Sequence, residues 1–238
     1  MIYQSMTDTG KVRDNNQDNF SNHICKNYSL FVVADGLGGY NGGEIASEIA
    51  VNSIRDFMVN TESDGQYSKH LVDAILHANK LVIEKAKSNE SISSMGATVV
   101  SALVFNNRVY ASHLGDSRLY HYHDGHLEQI TVDDSYYQKL KDTGIDIEDT
   151  EAIENMKSLV TKALGAEKYP LVSTYEFEVS QGDYLVLTTD GLTNMVDDPD
   201  IADVLKLDLE IKEAVEILVY MANSSGGHDN ITITLVKI

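Results

Sequence analysis

Two aspartates stand at equivalent places in two similar segments of the sequence. In LFVVADG and YLVLTTDG a strand-like apolar run ends in Asp-Gly, which places Asp35 and Asp190 at the carboxyl ends of two predicted strands. Three more aspartates adjoin predicted strands: Asp18 in NQD, Asp116 in GDSR and Asp229 in GGHDN. One Asp-Gly pair is more often a turn than a ligand, but five carboxylates beside apolar strands favour a common role.

Carboxylates that gather in a partly buried cleft repel one another unless a cation neutralises them. An all-oxygen set of ligands selects hard cations, namely Mg²⁺ or Mn²⁺, with Ca²⁺ as an alternative. Arg13, one of only four arginines, stands five residues before Asp18 in GKVRDNNQD. Because a guanidinium binds phosphate oxygens in a two-pronged geometry, an arginine near a carboxylate-rich metal site favours chemistry on phosphate esters.

The elements that must position these residues can be predicted from periodicity. Apolar positions at helical spacing predict helices over residues 44–58, about 68–87 and about 210–222. Segments rich in β-branched and aromatic residues predict strands over 28–34, 97–105, 108–114, 118–123, 183–189 and 230–236. Two-residue turns join several of them, so we expect antiparallel hairpins. The fold class is therefore α+β, with stacked antiparallel sheets covered by helices.

Composition excludes several classes of protein. The chain has 238 residues, two prolines and a net charge of −19, so we expect no binding to nucleic acid or anionic lipid. The apolar runs are too short for a membrane-spanning helix. The single cysteine, Cys25, rules out an internal disulfide, and no secretion signal is evident near the start. The single cysteine and the lack of a secretion signal favour the cytoplasm, and we expect a monomer.

The sequence resembles the metal-dependent serine/threonine protein phosphatases of the protein phosphatase 2C type, in their compact bacterial form. The matching segments occur in family order over about residues 7–236: GKVRDNNQD, LFVVADGLGGYNGGEIAS, SMGATVVSALV, LGDSRLY, VTKALG, YLVLTTDG and GGHDNIT. The resemblance implies one domain over residues 1–238, built from two packed antiparallel sheets flanked by helices, with residues 133–160 as a flap subdomain.

The resemblance also implies a role for individual residues. Asp35 would bridge two metal ions, Mn²⁺ or Mg²⁺, and the backbone carbonyl of Gly36 would complete one of the two sites. Asp190 and Asp229 would hold the other ion, and Asp18 would act largely through bound water.

Two further roles lie at the edge of this set. Asp116 matches a third metal position of bacterial members, shared with Asp190, and Arg13 would hold the substrate phosphate. The sequence departs from many relatives at Leu37, where they have histidine, and at residues 133–135, where Asp-Asp-Ser replaces Asp-His-Ser. Neither place therefore supplies a histidine as proton donor.

The function that follows is hydrolysis of phosphoserine and phosphothreonine by a hydroxide shared between two metal ions, opposing a bacterial serine/threonine kinase. One alternative is a pseudophosphatase of the same fold that binds phosphoproteins without turnover. Another is an acidic cation buffer, whose carboxylates would be scattered over the surface or arranged in calcium loops.

Two smaller features add hypotheses. His121 and His123 share one face of a predicted strand; a solvated hairpin is the simpler interpretation, and an adventitious transition-metal site is the alternative. Residues 133–154 carry eight acids, which predict a preference for basic residues beside the phosphorylated residue of the substrate. The acids are Asp133, Asp134, Asp142, Asp146, Glu148, Asp149, Glu151 and Glu154.

Overall fold

Two five-stranded antiparallel sheets form the centre of the computed structural model, which describes residues 1–38, 42–62, 64–144, 153, 156 and 158–238. The first sheet has, in spatial order, β1 (Ile2–Asp8), β12 (Ile231–Lys237), β11 (Tyr184–Thr188), β8 (Arg118–His123) and β9 (His126–Gln129). The second has β10 (Ser173–Glu178), β7 (Arg108–Leu114), β6 (Val99–Phe105), β3 (Ser29–Ala34) and β2 (Asn19–Ile24). A two-residue ladder joins β4 (Gly36–Leu37) to β5 (Gly96–Ala97).

Helices cover the outer face of each sheet. In the described residues the helices are α1 (Gly42–Asn60), α2 (Tyr67–Lys87), α3 (Tyr136–Asp142), α4 (Asp190–Thr193), α5 (Asp198–Lys206) and α6 (Ile211–Ser224); α3 has no buried residue and does not cover a sheet. Apolar residues of α1 and α2 share a buried cluster with the second sheet, and those of α5 and α6 share one with the first sheet. The layers are therefore helices, sheet, sheet and helices, which confirms the predicted α+β architecture.

Strand β3 shows why its sequence is continuously apolar. Successive side chains of a strand point to opposite faces, so Leu30 and Val32 pack under α1 and α2 while Phe31 and Val33 pack between the sheets. Every residue of β3 is buried, and burial of each large apolar side chain contributes about 1.5–3 kcal/mol. This double burial fixes the position of the Asp-Gly pair that follows.

Strand register brings the predicted site residues to one edge of the sandwich. Val33 near the end of β3 pairs with Val100 near the start of β6. In the other sheet, the end of β11 pairs with the start of β8 through Thr188 and Arg118. Strand β12 begins beside the same end of β11. The segments before and after these strand ends therefore meet above the core.

Several elements lie outside the sequence prediction. Strands β1 and β10 are edge strands in which polar residues occupy many positions, so their apolar signal is weak. Helix α5 is a short acidic segment, DPDIADVLK. The predicted flap at 133–160 is described in part, by α3 and by a β-bridge between Ser135 and Val160; residues 145–152, 154–155 and 157 lie outside the described residues.

In the part of the chain that the structure describes, no helix combines the length and the apolar character that crossing a bilayer demands.

Candidate active site

The five predicted aspartates converge at one cleft. Asp18, Asp190, Asp116 and Asp229 all lie close enough to Asp35 for their charges to raise its pKa, in addition to the larger effect of desolvation. The cleft has a volume of about 600 Å³. Its walls include Arg13, Asp35, Gly36, Asp116, Asp190 and Asp229. This convergence contradicts the cation-buffer alternative, which required scattered carboxylates or calcium loops.

Asp18 lies beneath this cleft and is almost fully buried. The Thr189 hydroxyl donates a hydrogen bond of 2.8 Å to its Oδ2 atom. Its Oδ1 atom is buried and receives no hydrogen bond from any described residue. Desolvation, with smaller contributions from the neighbouring carboxylates, raises the pKa of Asp18 to about 7.

Asp190 is in a similar situation. Asn194 Nδ2 donates a hydrogen bond of 2.9 Å to its Oδ2 atom, whereas the buried Oδ1 atom has no hydrogen-bond donor among the described residues. Desolvation first, and the charge of Asp229 next, raise the pKa of Asp190 to about 6. Asp18 and Asp190 thus each have one buried carboxylate oxygen without a hydrogen-bond partner among the described residues.

These observations test whether a cation fits the site. A buried carboxylate oxygen without a hydrogen bond is costly, and several such groups within one another's field destabilise the charged form of each. A divalent cation would satisfy the free oxygens and offset the repulsion together. The available ligands are carboxylate and carbonyl oxygens, which suit Mg²⁺ or Mn²⁺. The residues therefore fit the predicted metal centre.

The glycines after Asp35 and Asp190 are required by close backbone packing. A Cβ atom on Gly36 would overlap the backbone of Gly43 at the start of α1, and one on Gly191 would overlap the backbone of Asn230. The close packing of Gly191 against Asn230 brings Asp229, the residue before Asn230, next to Asp190. By contrast, a Cβ on the glycines at 65 and 125, which also follow aspartates, would meet nothing within 4 Å, as is typical of simple turns.

Arg13 lies at the rim of the cleft. Its Nη2 atom donates a hydrogen bond of 2.8 Å to Asp229 Oδ2, and the side chain is 56% exposed. The structure thus places the predicted phosphate-binding cation at the site, paired with one of the predicted metal ligands.

The sequence analysis missed Asn230, which holds the loop that carries Arg13. Its Oδ1 atom accepts from the backbone N–H of Gln17 at 2.8 Å. Its Nδ2 atom donates to the carbonyls of Thr9 and Asn15, each at 2.9 Å. In the sequence, the one sign of this role was that Asn230 is a polar residue between Asp229 and the apolar segment of β12. Asn230 therefore positions the loop between β1 and β2 against the cleft.

Arg118 was also missed as a contributor. Its guanidinium forms a two-pronged ion pair with Asp133, with contacts of 2.9 Å and 2.7 Å. Its charge lowers the pKa of both Asp116 and Asp190, although desolvation has the larger, opposite effect on each. Arg118 is therefore a fixed positive charge beside the carboxylates, anchored to the first residue of the predicted flap.

The first two of the eight acids at 133–154 are engaged within the chain. Asp133 binds Arg118. Asp134 forms an ion pair with Lys162 and accepts a hydrogen bond from the backbone N–H of Gly115. Asp142 accepts a hydrogen bond from Gln138, and the other five acids lie outside the described residues. Asp133 and Asp134 are already paired with cations of the chain. They therefore no longer support the predicted preference for basic residues beside the phosphorylated residue of the substrate.

Comparison with known proteins agrees with this site. Residues 10–223, nearly the whole length, match the protein phosphatase 2C family. The chain belongs to this family. The serine/threonine phosphatase stp of Listeria welshimeri is 35% identical to this phosphatase 2C chain over 238 residues, which cover 97% of this chain and 93% of the relative.

Solved structures give the same result. The serine/threonine phosphatase of S. agalactiae aligns with a TM-score of 0.93 and 30% identity, and the alignment covers 100% of this phosphatase 2C chain and 99% of that one. The catalytic domain of the phosphatase PstP, in complex with two manganese ions, aligns with a TM-score of 0.85 and 32% identity over 99% and 97% of the two chains. The predicted membership of this protein phosphatase family is confirmed.

Proposed function

We propose that this phosphatase hydrolyses phosphoserine and phosphothreonine in proteins, with two divalent cations held by the cleft carboxylates. The observation that carries the proposal is the convergence of five aspartates, two of which have buried oxygens without hydrogen-bond partners in the described chain. Relatives named as serine/threonine phosphatases support the substrate class. The manganese-containing PstP structure supports Mn²⁺, with Mg²⁺ as the other candidate.

The residues present suit two core ions and a third. Asp35 would contact both core ions, Gly36 would offer its carbonyl to one of them, and Asp190 and Asp229 would hold the other. Asp18 would act through water, and Asp116 would share a third ion with Asp190. When bound, cations of this kind lower the pKa of a water molecule so that it can attack phosphorus, and they offset charge on the phosphate oxygens.

Arg13 holds the phosphate group in this proposal. Its guanidinium lies exposed at the rim, so it can exchange its hydrogen bond with Asp229 for two hydrogen bonds to phosphate oxygens. The described residues that line the cleft include no histidine. In this proposal the serine or threonine alkoxide that leaves takes its proton from water in the open cleft, and because water is the nucleophile no covalent bond forms between phosphorus and the protein.

The wider setting is part of the same proposal. The chain is one phosphatase domain over residues 1–238, with 133–160 as its flap. It acts as a monomer in the cytoplasm and opposes a serine/threonine kinase. The match of relatives over nearly their whole length supports the single domain, and an unpaired Cys25 suits a reducing compartment.

Phosphate release from a phosphothreonine peptide tests the activity. We expect release with Mn²⁺ or Mg²⁺, none with chelator, and a loss of at least a thousandfold for Asp190→Asn. Asp124→Asn is the matched control, because it alters an exposed Asp-Gly turn outside the cleft. Binding of the phosphopeptide without turnover would instead favour the pseudophosphatase, and full activity of Asp190→Asn would contradict the site.

A further inference from the structure

A second group of side chains with metal-binding chemistry lies at the opposite end of the first sheet. His121 and His123 extend from the same face of β8, and Asp183 immediately precedes β11, the neighbouring strand. Strand β11 starts beside this group and ends at Asp190 in the cleft. Asp183 and Asp190 are seven positions apart in the chain, which at about 3.3 Å per residue separates the two sites by roughly 20 Å.

The three side chains are in contact through the Asp183 carboxylate. His121 Nε2 lies 2.8 Å from Asp183 Oδ2, and His123 Nδ1 lies 2.7 Å from Asp183 Oδ1. One ligand atom from each residue can be chosen so that all three lie within 4.8 Å of one another. The two imidazole rings are stacked, with centroids 5.7 Å apart.

The surroundings hold these side chains in place. Asp183 is buried. Its carboxylate also accepts a hydrogen bond of 2.9 Å from the backbone N–H of Ser180. His121 packs against the ring of Phe177 at 5.1 Å. The side chain of His123 is 49% exposed, so solvent reaches the group from that side.

We propose that His121, His123 and Asp183 bind one divalent transition-metal ion of the zinc class. Two imidazoles and a carboxylate are a common set of protein ligands for zinc, and water completes such open sites. Tetrahedral bonds of about 2.0–2.1 Å place ligand atoms roughly 3.3 Å apart. The two nitrogen–oxygen contacts are shorter than this, at 2.8 and 2.7 Å, and one atom from each residue lies within 4.8 Å of the others, so side-chain rotations must adjust these distances to produce the geometry.

Metal binding requires a change of tautomer at His123. A ligating imidazole must carry its proton on the nitrogen that faces away from the metal. In the metal-free protein His123 Nδ1 donates to Asp183 Oδ1 at 2.7 Å, so metal binding moves the proton to Nε2, which lies 3.4 Å from the Asp124 carboxylate. The cleft, which offers oxygen ligands, and this group, which offers two nitrogens, therefore select different cations.

Zinc binding to the full chain tests the proposal. The protein is stripped with chelator, and equilibrium dialysis against Zn²⁺ is performed in a large excess of Mg²⁺, which occupies the cleft. We expect one equivalent of zinc to remain bound. His123→Gln should weaken that binding at least tenfold, whereas His77→Gln, at an exposed position of α2 beside the other sheet, should leave it unchanged.

Two results would overturn the proposal: displacement of all zinc by Mg²⁺, or equal zinc affinity in the wild type and His123→Gln. Because His123 is half-exposed, its replacement should not prevent folding, which circular dichroism checks. A second measurement needs no variant. Substoichiometric Zn²⁺ should shift the imidazole resonances of His121 and His123 in the nuclear magnetic resonance spectrum and leave that of His77 in place; unshifted resonances of His121 and His123 would also refute the site.

Discussion

The Arg13 guanidinium and the Asp229 carboxylate form an ion pair 2.8 Å long at the rim of the cleft. This contact joins the proposed phosphate ligand to a proposed metal ligand. The negative charge of Asp229 helps to raise the pKa of Asp190. Because Arg13 pairs with Asp229, it offsets part of the negative charge of the metal-free cleft. A bound cation would compete with Arg13 for the Asp229 carboxylate, and a phosphate group would compete with Asp229 for the Arg13 guanidinium.

Replacement of Arg13 by alanine should therefore impair substrate binding more than metal binding. A charge-assisted hydrogen bond contributes about 1.5–3 kcal/mol, so we expect kcat/KM for a phosphopeptide to fall by roughly 10–100-fold, mainly through KM. Arg13→Lys should be intermediate, since it keeps the charge and loses the two-pronged contact. Steady-state kinetics with Arg55→Ala as the surface control measure this effect. A loss of Mn²⁺ affinity with an unchanged KM would contradict the assignment.

Removal of one carboxylate should stabilise the metal-free protein. Desolvation and the charges of Asp18, Asp190, Asp116 and Asp229 all raise the pKa of Asp35, so the charged form is destabilised there. Asp35→Asn should increase the free energy of unfolding in chelator by about 1–3 kcal/mol, which raises Tm by roughly 2–4 °C per kcal/mol. The same variant should lose activity. Thermal unfolding in chelator, with Asp124→Asn as control, measures this; a lower Tm for Asp35→Asn would refute it.

The Thr189 hydroxyl should control cation affinity through Asp18. It donates to Asp18 Oδ2 at 2.8 Å and accepts from the backbone N–H of Thr232 at 3.0 Å. Thr189→Val preserves the shape and removes both contacts, so the Asp18 carboxylate loses its orientation. We expect the Mn²⁺ concentration for half-maximal activity to rise by about 10–100-fold. Thr189→Ser, which keeps the hydroxyl, should remain close to wild type, and equal behaviour of the two variants would exclude this role.

The convergence of the aspartates could be predicted because each adjoins a strand whose apolar pattern is visible in the sequence. A strand buried on both faces, such as β3, can be placed in the fold in few ways. The position of the strand therefore also determines the position of Asp35, the residue that follows it. The side of the sandwich on which Asp35 and Asp190 emerge then follows from antiparallel register. The helices α1, α2 and α6 were predicted for the same reason, from apolar stripes that face a sheet.

The supporting contacts could not be predicted in this way. Thr189 and Asp18 are 171 residues apart in the chain, and Asn230 and Gln17 are 213 apart. No local pattern marks such a pair, because each residue alone resembles an ordinary polar residue near a strand. The ion pair of Asp133 with Arg118 is another long-range contact. The sequence does not reveal this pair, so Asp133 was predicted to be available for contact with the substrate.

The buried imidazole of His113 should make stability depend on pH. Its side chain is 1% exposed, its Nε2 atom lies 2.9 Å from the Val132 carbonyl, and Nδ1 has no partner among the described residues. Desolvation lowers the pKa of His113, against the smaller opposing effect of Asp134. Lys162 and Tyr175 also face this region. Folded His113 is therefore neutral where an unfolded histidine binds a proton.

The sign of the effect follows from proton binding. Below the ordinary histidine pKa of about 6.5 the unfolded state binds more protons, so the contribution of His113 is complete above that pH and declines as the pH falls. Denaturant unfolding of the wild type and of His113→Gln, whose amide can still donate to Val132, should give a difference in free energy that shrinks from about pH 7.5 to about pH 5.5, by at most about 1.4 kcal/mol per pH unit. The comparison at each pH cancels the titration of the cleft aspartates. Parallel pH profiles for the two proteins would show that His113 is protonated in the folded state as readily as in the unfolded one.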